Sequence, residues 1–132
     1  MEAQEIKILL VEDNPDDVAF TRIVLKGSRL DKDLVVAEDG RAAIEAIEKL
    51  AKEKAKIPDL ILLDINLPDI SGIDLLTRLK SDSRFCKIPV VMLTGSNVDD
   101  DIQRSYDLGA STYLVKPISK DALMLVIENL FA

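Results

Sequence analysis

The chain has 132 residues and a mass of 14.6 kDa, 48% of them apolar and 31% charged, which is a globular composition sized for one domain rather than two. Its 17 basic and 24 acidic side chains leave a formal charge of −7, and with three Phe, two Tyr and no Trp the composition argues against both an electrostatic and a base-stacking nucleic-acid platform. Histidine is absent, which excludes Ser-His-Asp triads, Cys-His nucleophiles and the usual zinc sites, and Cys86 is the single cysteine, so no internal disulfide can form and a reducing cytoplasm is the expected setting.

The acidic start, Met1-Glu2-Ala3-Gln4-Glu5, is unlike the basic start of a signal peptide. No apolar run approaches the roughly 20 residues needed to span a bilayer, so neither export nor membrane insertion is expected. The first apolar run, Ile6 to Val11, ends at Glu12-Asp13, and the helical segment from Asp16 stops at Lys26-Gly27. The second run, Leu34 to Ala37, leads through Glu38-Asp39 into a helix at Gly40, whose stripe is Ala43, Ile44, Ile47, Leu50 and Ala51. The mixed charge run from Glu48 to Lys56 reads as the solvated end of that helix and the loop after it. The third run, Leu60 to Leu63, is followed by Asp64 and Asn66 and then a short helix from Gly72 to Lys80 carrying Leu75, Leu76 and Leu79. The fourth run, Val90 to Leu93, is followed by Thr94-Gly95-Ser96 and a helix from Val98 to a stop at Leu108-Gly109. The fifth, Thr112 to Val115, is followed by Lys116-Pro117, an N-cap at Ser119 and a helix with the stripe Ala122, Leu123, Val126, Ile127 and Leu130.

Most of these runs are continuously apolar rather than alternating, the pattern of strands covered on both faces. Strand and helix alternate five times. That predicts a doubly wound α/β fold, with a parallel sheet, right-handed crossovers and helices on both faces. In such sheets ligands bind beyond the carboxyl ends of the strands. Four of the five strands deliver polar side chains there: Glu12 and Asp13, then Asp64 and Asn66, then Thr94, then Lys116.

Taken singly, each has an ordinary explanation. Acidic residues after a strand are usually solvated, Thr94 suits a strand end, Tyr113 suits strand packing, and surface lysines are common. Asp64 is the awkward one, because it closes a very apolar run. Three carboxylates about 4 Å apart repel by on the order of 1–4 kcal/mol per pair, so the cluster must protonate, spread or hold a cation. Oxygen ligands without His or Cys favour Mg²⁺. A carboxylate, a divalent cation, an ammonium and a hydroxyl are the parts that stabilise a phosphoryl group, and Asp64 is placed to be the nucleophile.

Val11-Glu12-Asp13-Asn14, Asp64-Ile65-Asn66-Leu67-Pro68 with Gly72, Thr94-Gly95 and Lys116-Pro117, in this order at strand ends, resemble the receiver domains of two-component response regulators, the CheY-like family. The resemblance runs from about Ile6 to Phe131 and implies one receiver domain over 1–132, with no output domain. It implies a flavodoxin-like strand order of 2-1-3-4-5. It also implies a cis Lys116-Pro117 bond. It makes Asp64 the phosphoacceptor, with Mg²⁺ held by Asp13, Glu12, Asp64 and the backbone carbonyl of Asn66. Lys116 would bind a phosphoryl oxygen, Thr94 and Tyr113 would be the switch pair, and Asn66 and Ser96 would tune the phosphoryl lifetime. The implied partners are a sensor histidine kinase or phosphotransfer protein and a downstream protein, with homodimerisation through the fourth helix, fifth strand and fifth helix a common arrangement. Asn14-Pro15-Asp16-Asp17 and Ser105-Tyr106-Asp107-Leu108-Gly109-Ala110 sharpen the likeness toward stand-alone receivers serving phytochrome-type and hybrid kinases.

Three other readings compete. A degenerate receiver that binds partners without phosphorylation is opposed by the intact set of Asp64, Asp13, Thr94 and Lys116. A haloacid-dehalogenase-like phosphatase wants a second Asp two residues after the nucleophile, where this chain has Asn66, and needs a cap that no segment is long enough to form. A flavodoxin-like electron carrier needs a Ser/Thr/Gly phosphate loop after the first strand, where this chain has Glu12-Asp13-Asn14-Pro15.

Overall fold

The computed structural model describes residues 5–26, 31–53, 57–95 and 99–131. The elements are β1 (Glu5–Val11), α1 (Pro15–Lys26), β2 (Asp31–Ala37), α2 (Gly40–Lys52), β3 (Leu60–Asp64), α3 (Gly72–Lys80), β4 (Val90–Thr94), α4 (Asp99–Asp107), β5 (Thr112–Val115) and α5 (Lys120–Phe131). All four strand pairings are parallel and the order is β2-β1-β3-β4-β5, as the resemblance implies. Strand order reverses beside β1, between β1 and β3, and the carboxyl ends of those two strands carry Glu12 and Asp64.

Why these runs form central strands is visible in their burial. Every residue of β3 and β4 is buried, so a continuously apolar run is the only pattern that fits both faces. Side chains alternate across the sheet. Leu9, Val11, Ile61, Leu63, Val90 and Met92 pack with Ala43, Ile47, Leu75, Leu76 and Leu79 of α2 and α3. Ile8, Leu10, Leu60, Leu62, Val91 and Leu93 pack on the other side with Val24 and Leu25 of α1 and Leu123 and Ile127 of α5. Two apolar layers therefore clamp the sheet, each buried Leu or Ile contributing about 1.5–3 kcal/mol.

The helix boundaries follow local chemistry. Asn14 Oδ1 accepts from the N–H groups of Asp16 and Asp17 at 2.9 and 3.2 Å, with Pro15 at the first helical position of α1. Ser119 caps α5 by accepting from Ala122 N–H at 3.0 Å. Gly109 closes α4 with φ +103°, a left-handed geometry that glycine adopts without Cβ strain. The Lys116-Pro117 bond is cis. The expected stop at Gly27, the helix start at Val98, Ser96, and residues 54–56 of the charge run lie outside the described residues.

Candidate functional site

Parallel pairing brings the ends of β1, β3, β4 and β5 to one edge, and the ladders run slightly past the strands there. Glu12 N–H donates to Ala37 O at 2.9 Å, and Lys116 N–H donates to Thr94 O at 2.7 Å. These bonds fix the backbone of Glu12 and Lys116 as firmly as that of a strand residue. Glu12, Asp64 and Thr94 are almost fully buried, at 1%, 4% and 2% exposure. The solvated character usual for acids after a strand therefore holds for Asp13, which is exposed, and not for Glu12.

Lys116 is the electrostatic centre. Its Nζ donates to Glu12 Oε1 and Oε2 at 2.9 and 2.7 Å and to Asp64 Oδ2 at 2.9 Å, and lies 3.1 Å from Asp17 Oδ2. Burial works against its charge, but the hydrogen bonds to Glu12, Asp64 and Asp17 prevail and hold its pKa well above the ordinary lysine value. Glu12 is pushed up to about 7 by burial and by Asp64 beside it, with Lys116 pulling the other way. Asp17 stood in the sequence in the first turn of a helix and in the motif Asn14-Pro15-Asp16-Asp17, but its pairing with Lys116 joins residues far apart in the chain and left no local signal.

Asp64 is held from both sides. Its Oδ1 accepts from Asn66 N–H at 2.9 Å while its Oδ2 takes Lys116. Below it, Gly72 N–H donates to Ile65 O at 2.7 Å, drawing the start of α3 onto the backbone of Asp64. A Cβ at Gly72 would collide with the carbonyl oxygen of Asp64 and stand 2.7 Å from Ile65 Cα, so this approach requires glycine. Asn66 itself is exposed. Tyr113 is half-buried on β5 and meets Tyr106 of α4 edge to face, with ring centroids 6.1 Å apart. Beside the cluster, Asp17, Phe20, Thr21, Pro117 and Ile118 line a mainly apolar cavity of about 220 Å³.

One carboxylate oxygen each from Glu12, Asp13 and Asp64 lies within 4.8 Å of the others. Three carboxylates against one shared ammonium leave excess negative charge in a partly buried place. The donors are oxygen only, as a hard divalent cation requires. The residues present fit such an ion.

The fold and this edge define a doubly wound α/β protein with a cluster of carboxylates around a lysine at its topological switch point, a cluster that could hold a cation. The response regulator receiver domain family matches residues 8–128. Response regulator Rcp1 of Synechocystis sp. (strain PCC 6803) is 37% identical over 124 residues, 93% of this chain and 84% of that protein. The Mn²⁺-bound form of Rcp1 superimposes with a TM-score of 0.79 at 40% identity over 92% of this chain and 88% of that one. The phosphorylated cyanobacterial phytochrome response regulator RcpA superimposes at 0.81 with 36% identity, over 96% and 91%. The chain belongs to the response regulator receiver family, the phosphoacceptor switches of two-component signalling that bind divalent metal and engage histidine kinases or phosphotransfer proteins.

Proposed function

We propose that Asp64 is the phosphoacceptor of this receiver and that Mg²⁺ is the ion held by Glu12, Asp13, Asp64 and the backbone carbonyl of Asn66. The observation that carries this reading is the Lys116 ammonium 2.9 Å from Asp64 Oδ2, beside the three-carboxylate cluster. When bound, the cation neutralises charge on the phosphoryl oxygens. An Asp64 oxygen attacks the phosphorus of a phosphohistidine supplied by a sensor kinase or phosphotransfer protein, since this chain has no histidine. The new P–O bond forms as the P–N bond breaks, and the imidazole leaves. Lys116, released from part of its contact with Glu12, follows the transferred group and pairs with one of its oxygens.

The acyl phosphate adds charge at the ends of β3 and β4. Thr94 donates its hydroxyl to the phosphoryl group, Tyr113 changes its packing against Tyr106, and the outer face of α4, β5 and α5 is altered. That face carries exposed Tyr106 and Leu125, surface suited to a downstream protein or to a second copy of this chain. Water attack on phosphorus then cleaves the P–O bond and restores the carboxylate, so the chain catalyses both its own phosphorylation and its reset rather than turning over a substrate. No described helix is long and apolar enough to cross a membrane. The chain's single cysteine supports a cytoplasmic setting.

The test is intact mass after incubation with acetyl phosphate and Mg²⁺. Wild-type protein is expected to gain one phosphate, and Asp64→Asn or added chelator to gain none. A gain that persists under both conditions contradicts the assignment.

A further inference from the structure

We infer that Asp69 is a positioning residue for the acidic site: its carboxylate ties the loop between β3 and α3 to the first turn of α2, and thereby holds the segment that orients Asp64. This deepens the proposed function and rests on its placement of a cation beside Asp64.

The first N–H groups of a helix have no partner within it. In α2 they divide between two acids. Ala42 donates to the Asp39 side chain at 2.7 Å, while Ala43 makes the first regular helical bond, to the Asp39 carbonyl at 3.1 Å. Gly40 and Arg41 donate to Asp69, to Oδ1 and Oδ2, both at 2.9 Å. Asp39 is the ordinary local cap. Asp69 lies 29 residues beyond Gly40 and uses both carboxylate oxygens at once. Its Oδ1 also accepts from Ile70 N–H at 2.8 Å, so its own loop is shaped around the carboxylate. The loop lies close against the start of α2: a Cβ at Gly40 would overlap Ile70 Cγ1 and stand 2.7 Å from Ile70 Cδ1, so the Ile70 side chain would have to shift.

The same loop is closed at its other end. Gly72 N–H donates to Ile65 O at 2.7 Å, and within the loop Asn66 N–H donates to Asp64 Oδ1 at 2.9 Å. The segment is thus pinned at its neck beside Asp64 and at its tip on α2. A helix cap alone needs only one acid, and Asp39 already supplies it. The second acid adds a fixed distance between α2 and the loop. Its pKa is lowered, chiefly by the Gly40 N–H, so it is a charged tether near neutral pH.

The experiment compares Asp69→Ala, Asp69→Asn and Asp39→Ala in the full chain. Amide hydrogen exchange is read first, without metal. Asp69→Ala is expected to speed exchange at Gly40, Arg41 and also Asn66, whereas Asp39→Ala speeds it at Ala42 and leaves Asn66 protected. Calorimetric titration with Mg²⁺ is read second. Asp69→Ala is expected to weaken Mg²⁺ roughly 10-fold, the lower end of losses seen when groups supporting metal ligands are removed. Asp69→Asn keeps one acceptor and falls between, and Asp39→Ala stays within about twofold of wild type, the scatter expected of an independent site. In acetyl phosphate reactions the Mg²⁺ concentration for half-maximal rate should rise in Asp69→Ala while the rate at saturating Mg²⁺ recovers. Unchanged Asn66 protection with unchanged Mg²⁺ affinity in Asp69→Ala overturns the inference, as does an equal loss in Asp39→Ala. Wild-type protein that takes no phosphate counts against the Asp64 assignment instead, and the exchange comparison still judges the tether.

Discussion

Lys116 sets the electrostatic state of the site. Its one positive charge serves Glu12, Asp64 and Asp17 together, and two of those acids are nearly fully buried. Removing one partner of a buried ion pair strands the other charge and costs about 3–5 kcal/mol. Lys116→Ala is therefore expected to lose stability on that scale in urea unfolding without metal, and to recover much of it when Mg²⁺ is added; a loss that Mg²⁺ does not reduce contradicts the charge account. The same variant is expected to accept some phosphate yet fail to change its affinity for a partner protein, since no ammonium follows the phosphoryl group. Unaltered phosphorylation-dependent binding counts against that role. Gly72 acts by the space it leaves. Gly72→Ala places a methyl group against the backbone of Asp64 and Ile65, and overpacking of this kind costs about 1–3 kcal/mol. Denaturation midpoints measure it, and a neutral result would show that α3 can withdraw without cost.

Elements differ in how much of their placement the sequence carries. β3 and β4 were legible because burial on both faces demands an unbroken apolar run, and α5 because Ser119 and its stripe mark both its start and its inner face. Junctions between elements were not, because their partners are remote. Asp69 meets α2 across 29 residues, and Arg84 meets Glu48 across 36. Arg84 joins the second half of α2 to the turn before β4, bonding Glu48 at 3.0 and 2.6 Å and Asp82 at 2.7 Å. Its hydrogen bonds are the main cause holding both acids below their ordinary values. A depressed folded pKa gives stability that is present above the unfolded value and is lost as pH falls through the folded one. Arg84→Ala is therefore expected to melt slightly below wild type near neutral pH, with the gap closing well below the usual carboxylate range. A gap that is constant with pH would mean that Arg84 acts through its guanidinium over the Phe85 ring rather than through its ion pairs with Glu48 and Asp82.

At the scale of the whole molecule, alternating runs announced a parallel α/β sheet, but strand order came from the resemblance, since periodicity says nothing about which strands are neighbours. Strand order then decides the function, because placing β1 beside β3 is what sets Glu12 and Asp13 against Asp64. Of the polar residues after the strands, the fold brings Glu12, Asp13, Asp64 and Lys116 together. Burial of Glu12 and the approach of Asp17 to Lys116 did not show, because both rest on contacts with residues remote in the chain. The coupling of this edge to an outer face is the property that makes a receiver a switch, and it presupposes an acyl phosphate at one position. That presupposition is open to direct chemistry: phosphorylate the protein with acetyl phosphate and Mg²⁺, reduce it with borohydride, and map the digest by mass spectrometry. Homoserine in place of aspartate at position 64 alone is the result the account requires, whereas reduction at Asp13 or any other carboxyl group, with position 64 intact, would contradict it.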